Sequence, residues 1–136
     1  MPTPTYTANK TLDAFFGNTP TPSHTTLYIC LHTADPTASG TIAEVPSTNG
    51  YARASIVNSV ANFPPAASGS KVNAAAITFP AATGSGWGTV THYSIKDAGV
   101  GGNCIAYGPL PAAKTVVATD VITIPVNALN PQMPVG

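Results

Sequence analysis

Turn-forming residues divide this chain into short pieces, and that division limits the folds it can adopt. Proline occurs 14 times and glycine 12 times among 136 residues. Proline interrupts helix interiors and is excluded from most positions in central strands. Short segments between frequent turns are typical of antiparallel β-sandwiches and small β-barrels, so the chain is expected to be built from strands.

The clearest strand is "TTLYICLH", residues 25–32, in which side chains alternate between two faces. Leu27, Ile29 and Leu31 share one face and residues 28, 30 and 32 share the other, which is the two-residue period of a β-strand. The other predicted strands are 51–57, 74–79, 87–97, 104–110 and 115–129. We therefore predict a mainly β fold, an antiparallel, jelly-roll-like β-sandwich with one short N-terminal helix, in a single domain over residues 1–136.

The one predicted helix covers residues 8–16. Thr7 is its expected N-terminal cap, and Gly17 is the expected stop. One apolar face is formed, at the spacing i, i+4, i+7 and i+8, by Ala8, Leu12, Phe15 and Phe16. A helix this short is marginal alone, so this face is expected to pack either on the protein's own sheet or on a neighbouring subunit.

The core is predicted from the apolar positions of these strands. The residues expected to be buried are Leu27, Ile29, Leu31, Ile77, Phe79, Tyr93, Ile95, Ile105, Val121 and Ile122. Val121 and Ile122 are adjacent, so both can be buried only if their strand is covered on two sides.

Charge is scarce, which excludes some partners. Only 7% of residues are charged and the net charge is zero, whereas globular domains usually carry about 25% charged residues. Without a basic stripe, no nucleic-acid partner is expected. No apolar run is long enough to suggest a membrane span. Cys30 and Cys104 are expected to be buried, reduced thiols in the cytoplasm of the cell that makes the protein.

The segment "WGTVTHYSIKDAG", residues 87–99, collects several reactive side chains but does not predict an active site. His92 and Asp97 fall on opposite faces of a strand, so they cannot form the hydrogen bond that a catalytic pair needs. Ser85 lies in "TGSGWG", which is not a nucleophile elbow. The five carboxylates are dispersed along the chain. We predict no catalytic residues and no enzymatic activity.

A metal site is the remaining chemical possibility considered for the strands. Four side chains could in principle form a tetrahedral zinc site: Cys30, His32, His92 and Cys104. Their spacing matches no short zinc motif. The favoured interpretation is two buried thiols and two hydrogen-bonded histidines, so no metal and no cofactor are predicted.

Several motifs together resemble a known family. The most specific are "LHTADP", "GYAR", "ITFPAATGSGWGTVTH" and "IAYGPL". Over nearly its whole length the chain is similar to small virion proteins of tailed bacteriophages, which are described as tail fibre proteins or as capsid decoration or cement proteins. The resemblance implies a virion structural protein assembled in the bacterial host cytoplasm. Proline-rich ends, residues 1–7 and 130–136, depart from the family pattern and are expected to be extended contact arms.

The first functional hypothesis is a capsid cement protein that bridges major capsid subunits and associates with itself, with a trimer expected. The alternative is a tail fibre, tail tip or adaptor component that contacts other virion proteins. In a third interpretation, Trp87, Tyr51 or Tyr107 would stack on a carbohydrate receptor. The candidate protein-contact residues are Pro2, Pro4, Tyr6, Leu12, Phe15, Phe16, Pro131, Met133 and Pro134.

Overall fold

Strands provide most of the regular structure in the computed structural model, which describes residues 3–131. The elements are helix α1 (Thr5–Phe15) and strands β1 (Thr26–His32), β2 (Ala54–Val57), β3 (Ile77–Thr78), β4 (Gly88–Lys96), β5 (Cys104–Val116) and β6 (Thr123–Ile124). The prediction of a mainly β fold with one short N-terminal helix is therefore confirmed.

The strands form two antiparallel sheets. One has four strands in the order β2-β1-β4-β5, and the other pairs β3 with β6. Buried side chains from both sheets belong to one hydrophobic cluster, while the finer expectation of a jelly-roll-like sandwich stays a prediction. Within residues 3–131, no helix has the length and apolar character needed to cross a membrane.

One face of the four-stranded sheet carries the predicted core. Leu27, Ile29 and Leu31 of β1 lie on this face, with Tyr93 and Ile95 of β4 paired beside them. The core prediction is confirmed for Leu27, Ile29, Leu31, Ile77, Phe79, Tyr93, Ile95 and Ile122. It is wrong for Val121, which is 54% exposed because Ile122 takes the inward position. Ile105 is only partly buried.

A bulge breaks the simple alternation that the sequence predicts for β4. The register with β5 shifts between Val90 and His92, and Val90 and Tyr93 both join the core although they are three residues apart. Strict alternation would have placed Val90 on the opposite face. An irregular register of this kind changes which side chains face inward on either side of it.

The second face of the sheet is also buried, and its side chains are polar or small. Cys30, His32 and Ser94 are completely buried, and Lys96 is nearly so. The segment of residues 33–53 covers this face. It joins the end of β1 through a bridge between His32 and Glu44 and through a hydrogen bond from Val45 N–H to Leu31 O at 3.0 Å.

Helix α1 begins earlier than predicted. Its first residue is Thr5 and its N-cap is Pro4, so residues 5–7 are helical and the expectation of an extended arm over residues 1–7 is wrong there. Thr7 is not the cap. Its hydroxyl instead donates to the carbonyl oxygen of Ile105 at 2.6 Å, which attaches the first turn to β5.

The other end of the described chain lies against the body of the protein. Lys71 N–H donates to Pro131 O at 3.0 Å, and the Ser70 hydroxyl donates to Asn130. The predicted arm over residues 130–136 is thus attached at its first two residues. Met133 and Pro134, like Pro2 at the other terminus, lie outside the described residues.

Cys30 and Cys104 are free and buried. They lie on β1 and β5, with β4 between them. Neighbouring strands are about 4.8 Å apart, so β1 and β5 are separated by roughly 10 Å, beyond the usual reach of a disulfide. Burial raises the pKa of the Cys30 thiol to about 12 and that of Cys104 to about 11, which keeps both thiols protonated.

Gly40 provides a test of how closely the 33–53 segment packs on the sheet. It has φ +69°, and an added Cβ would overlap the side chain of Cys104. We expect Gly40→Ala to lower the free energy of unfolding by about 2–4 kcal/mol, from left-handed strain plus overpacking. Chemical denaturation measures the change.

Gly101→Ala is the matched control. Gly101 has φ +63° with nothing within 4 Å of the added Cβ, so only the strain of about 1 kcal/mol is expected. Equal losses in the two variants would contradict close packing between Gly40 and Cys104.

Candidate functional site

The last turn of α1 carries three exposed apolar side chains. Leu12, Phe15 and Phe16 are 56%, 79% and 81% exposed, and together they are called the apolar tip below. The helix contacts β5 through its other side, where Thr7, Thr11 and Ala14 are half-buried. The apolar side chains therefore point away from the protein's own sheet.

The exposure of these side chains excludes one of the two packing partners that the sequence left open for the helix. The apolar face does not pack on the protein's own sheet within the described residues. Exposed phenylalanine side chains are costly to leave in water, and clustered apolar surface marks contact sites. The apolar tip is therefore a candidate protein-contact surface.

A cleft of about 780 Å³ opens near the start of the same helix. Its apolar lining comes from Leu27, Phe63, Ile95 and Ile105, and this set is called the cleft floor below. Val60 also lines the cleft and is 73% exposed. A mostly apolar, concave surface of this volume is within the range of typical binding pockets.

Hydroxyl, amide and basic side chains also line the cleft, and its two titratable groups are partly engaged with the protein itself. The Lys71 ammonium donates to Phe63 O at 3.2 Å and to Pro64 O at 2.9 Å. His24 Nε2 is buried without a hydrogen-bond partner, and it lies 3.9 Å from Asp97 Oδ2. The cleft thus favours an apolar occupant over a highly charged one.

The contact residues predicted from the sequence are separated by the fold. Pro4 and Pro131 both line the cleft, whereas the apolar tip lies at the other end of α1. Tyr6 is half-buried, with the Lys10 ammonium 5.9 Å from the centre of its ring. No sequence signal predicted the cleft itself, because its lining comes from segments that are distant along the chain.

An ion pair within the 33–53 segment lies on the second face of the sheet, and its members also contact the sheet and the hairpin. Arg53 binds Glu44 in a bidentate manner, with Nε to Oε2 and Nη2 to Oε1 both at 2.7 Å. Arg53 Nη1 also donates to Ala98 O at 2.7 Å and to Gly101 O at 2.8 Å, in the turn between β4 and β5. One guanidinium therefore joins the segment to the hairpin.

Two further groups complete this buried polar layer around Glu44. The Tyr51 hydroxyl donates to Glu44 Oε2 at 3.1 Å and accepts the Leu31 N–H at 3.1 Å. The Lys96 ammonium lies 3.8 Å from Glu44 Oε1. Burial alone would raise the pKa of Glu44, but the hydrogen bond and charge of Arg53, with Lys96, lower it overall.

His32 forms a second attachment of the same segment. Its Nδ1–H donates to Ile42 O at 2.7 Å, and its Nε2 accepts the Ser94 hydroxyl at 2.7 Å. Burial lowers the pKa of His32, which favours the neutral ring that this pattern requires. Because His32 and Ser94 are both 0% exposed, this serine–histidine pair cannot meet a substrate in this conformation.

The aromatic residues considered for carbohydrate stacking are not on the surface. Trp87 is 6% exposed, and Tyr51 and Tyr107 are each 5% exposed. Tyr51 and Trp87 instead pack edge to face, and the Trp87 indole donates to Asn49 O at 2.8 Å. The interpretation in which these rings stack on a sugar has no support, because all three are buried and Tyr51 and Trp87 belong to the hydrophobic core.

The residues considered as zinc ligands make hydrogen bonds within the protein. Both ring nitrogens of His32 are engaged as described above, and His92 Nδ1 lies 2.8 Å from Thr91 Oγ1. Cys104 Sγ donates to Ala106 O at 3.4 Å. Among residues 3–131, no group of three or more His, Cys, Asp or Glu side chains is placed to hold a metal ion.

Glu44→Gln tests the ion pair. The substitution keeps the shape but removes the charge that faces Arg53 and Lys96, so we expect a loss of roughly 3 kcal/mol in the free energy of unfolding. Asp35→Asn is the control, because it removes an exposed negative charge from the same segment. A loss no larger than that of the control would show that the pair does not hold the segment.

His32 is expected to make the protein less stable in mild acid. Its folded-state pKa lies below the unfolded value of 6.5, so its contribution is present above that pH and is lost as pH falls towards the folded pKa. Glu44, whose pKa is lowered from 4.5, adds a further loss below that value. Denaturation midpoints measured across pH 4–8 should therefore decline below about 6.5.

His32→Gln should flatten the decline between pH 5 and 6.5, whereas His92→Gln should retain it. An unchanged slope in the His32 variant would contradict the buried neutral imidazole. The signals of the His32 ring in the wild-type protein, followed by NMR as the pH is changed, provide a check that does not depend on the stability of either variant.

Comparison with known proteins identifies the family of the chain. No individual curated protein is significantly similar to the chain. The family model described as podophage GP4 fiber I protein gp80 matches residues 2–132. The match covers nearly the whole chain, including α1, both sheets and the cleft. The chain therefore belongs to the podophage GP4 fiber I protein gp80 family and is a phage virion protein.

Proposed function

We propose that this protein is a structural subunit of a phage fibre, held in the virion by apolar contacts. The observation that carries this proposal is the apolar tip of Leu12, Phe15 and Phe16, exposed on a member of a fiber protein family. A subunit of an assembly needs such a surface, because burying it against a neighbour provides the driving force for association.

The low charge of the chain supports the same role. Only 7% of residues are charged, and a surface with little charge does not oppose close contact with neighbouring subunits. The proposed partners are other copies of the chain and other virion proteins, assembled in the host cytoplasm. The proposed role requires no catalysis, nucleic acid, membrane or cofactor.

A fibre is favoured over capsid cement, the first hypothesis from the sequence. The resemblance of the motifs to virion proteins covers both roles, but the matching family is named for a fiber protein. The capsid hypothesis also relied on two extended arms. Residues 5–7 are helical, and residues 130 and 131 are hydrogen-bonded to the body, so these parts of the two predicted arms are not extended as that hypothesis required.

Labelling of intact virions tests the location. An antibody against the protein, viewed by electron microscopy, should mark fibres at the tail end of the particle. Quantitative mass spectrometry should find far fewer copies of it than of the major capsid protein. Label spread over the head, with copy numbers close to those of the capsid protein, would contradict the fibre and support the cement role.

A virion carrying Phe15→Ser with Phe16→Ser tests the contact surface. Both side chains are largely exposed, so the folded subunit should keep its stability while its amount per particle falls. Val100→Ser is the control, since Val100 is 91% exposed and lies in the turn between β4 and β5. Normal incorporation of the double variant would show that the tip is not the contact surface.

A further inference from the structure

The described part of the chain carries both an apolar projection and an apolar concavity. We propose that the apolar tip of one copy inserts into the cleft of the next copy, so that subunits associate head to tail. The inference rests on the proposed function, because it names how fibre subunits contact one another.

The two surfaces of one copy cannot satisfy each other. Helix α1 begins at the cleft, where Pro4 and Thr7 line it, and it ends at the tip. Phe15 is eight positions after Thr7 in the helix, which is about 12 Å along the axis. Phe15 also points away from the body, while Thr7 faces it. A tip that occupies the cleft must therefore belong to another copy of the chain.

The chemistry of the two surfaces is complementary. The tip consists of one leucine and two phenylalanines, and the cleft floor is also aliphatic and aromatic. Asp13, exposed beside the tip, brings one negative charge. The titratable groups that line the cleft are the basic side chains of His24 and Lys71. The charge of Asp13 is therefore opposite in sign to that of Lys71 in the lining.

The sizes of the two surfaces also agree. A cleft of about 780 Å³ is large enough to receive drug-sized ligands, and two phenylalanine side chains are smaller than most of these. Each phenylalanine is about four-fifths exposed and would bury roughly 120–200 Å². A standard interface buries about 800 Å² per partner, so the tip supplies a substantial part of one, and free subunits should associate weakly.

The proposed contact also determines the type of interface. Tip-into-cleft contact is heterologous, because one subunit contributes the projection and the other the concavity. Heterologous contacts produce closed rings or open filaments rather than isolated two-fold dimers. A repeated contact of this kind is compatible with a subunit of a fibre.

Sedimentation velocity of the purified full-length protein over a range of concentrations tests the proposal. The tip variant is Phe15→Ser with Phe16→Ser, and the cleft variant is Val60→Glu, which places a charge at an exposed position on the lining. Val100→Ser, at another exposed apolar position, is the control. Circular dichroism confirms that each variant keeps the fold.

We expect the wild type and the control to form larger species as concentration rises, and each of the two variants alone to remain monomeric. An equimolar mixture of the variants should form a one-to-one dimer that does not grow. The cleft variant retains an intact tip and the tip variant retains an intact cleft, so the mixture restores one interface. A tip-to-tip contact between two-fold related copies could not be restored in this way.

Three results would overturn the proposal. The wild type could remain monomeric at the highest concentration reached, or the mixed variants could fail to pair. Association could also be lost in only one of the two variants, which would show that the tip or the cleft contacts a different surface. The experiment needs no virion, so its failure is distinct from a failure of the fibre assignment, which the labelling of particles decides.

Discussion

The bidentate pair of Glu44 and Arg53 is the interaction on which the rest of the structure depends. It lies on the second face of the four-stranded sheet, where the 33–53 segment covers polar side chains that would otherwise face water. Arg53 also binds two carbonyl groups in the turn between β4 and β5, so it joins the segment to the hairpin. A charge pair removed from water stabilises a protein only when its remaining hydrogen bonds are satisfied. Tyr51 and the hairpin carbonyls satisfy them here.

The covered second face in turn positions the candidate interaction surface. The 33–53 segment reaches the first turn of α1, where Thr5 N–H donates to Ala38 O at 3.3 Å. Thr7 anchors the same turn to β5 through Ile105. These polar contacts orient the helix with its small and hydroxyl-bearing side inward. Leu12, Phe15 and Phe16 are consequently directed outward, although an isolated amphipathic helix would place them against the core.

For a virion protein this orientation has a functional use. A fibre subunit must fold before it assembles, and it must then present a surface that only another protein covers. None of the residues of α1 is buried. The stability of the four-stranded sheet therefore does not require the apolar tip. The tip is therefore not required for folding, which leaves it accessible for the contact that the proposed function assigns to it.

The sequence by itself determined the elements whose signals are local. Alternation in residues 25–32 and 87–97 predicted β1 and β4 together with the apolar residues that face the core at alternate positions, except Val90. The spacing of Leu12, Phe15 and Phe16 predicted a helix near residues 8–16. Only the tertiary structure decided what lies against each face. The burial of Ser94 and Lys96, the bulge beside Val90, the outward direction of the phenylalanines and the cleft between Pro4 and Pro131 all depend on contacts between distant segments. A side-chain period reports which residues share a face, whereas the burial of that face is decided by whichever part of the chain packs upon it.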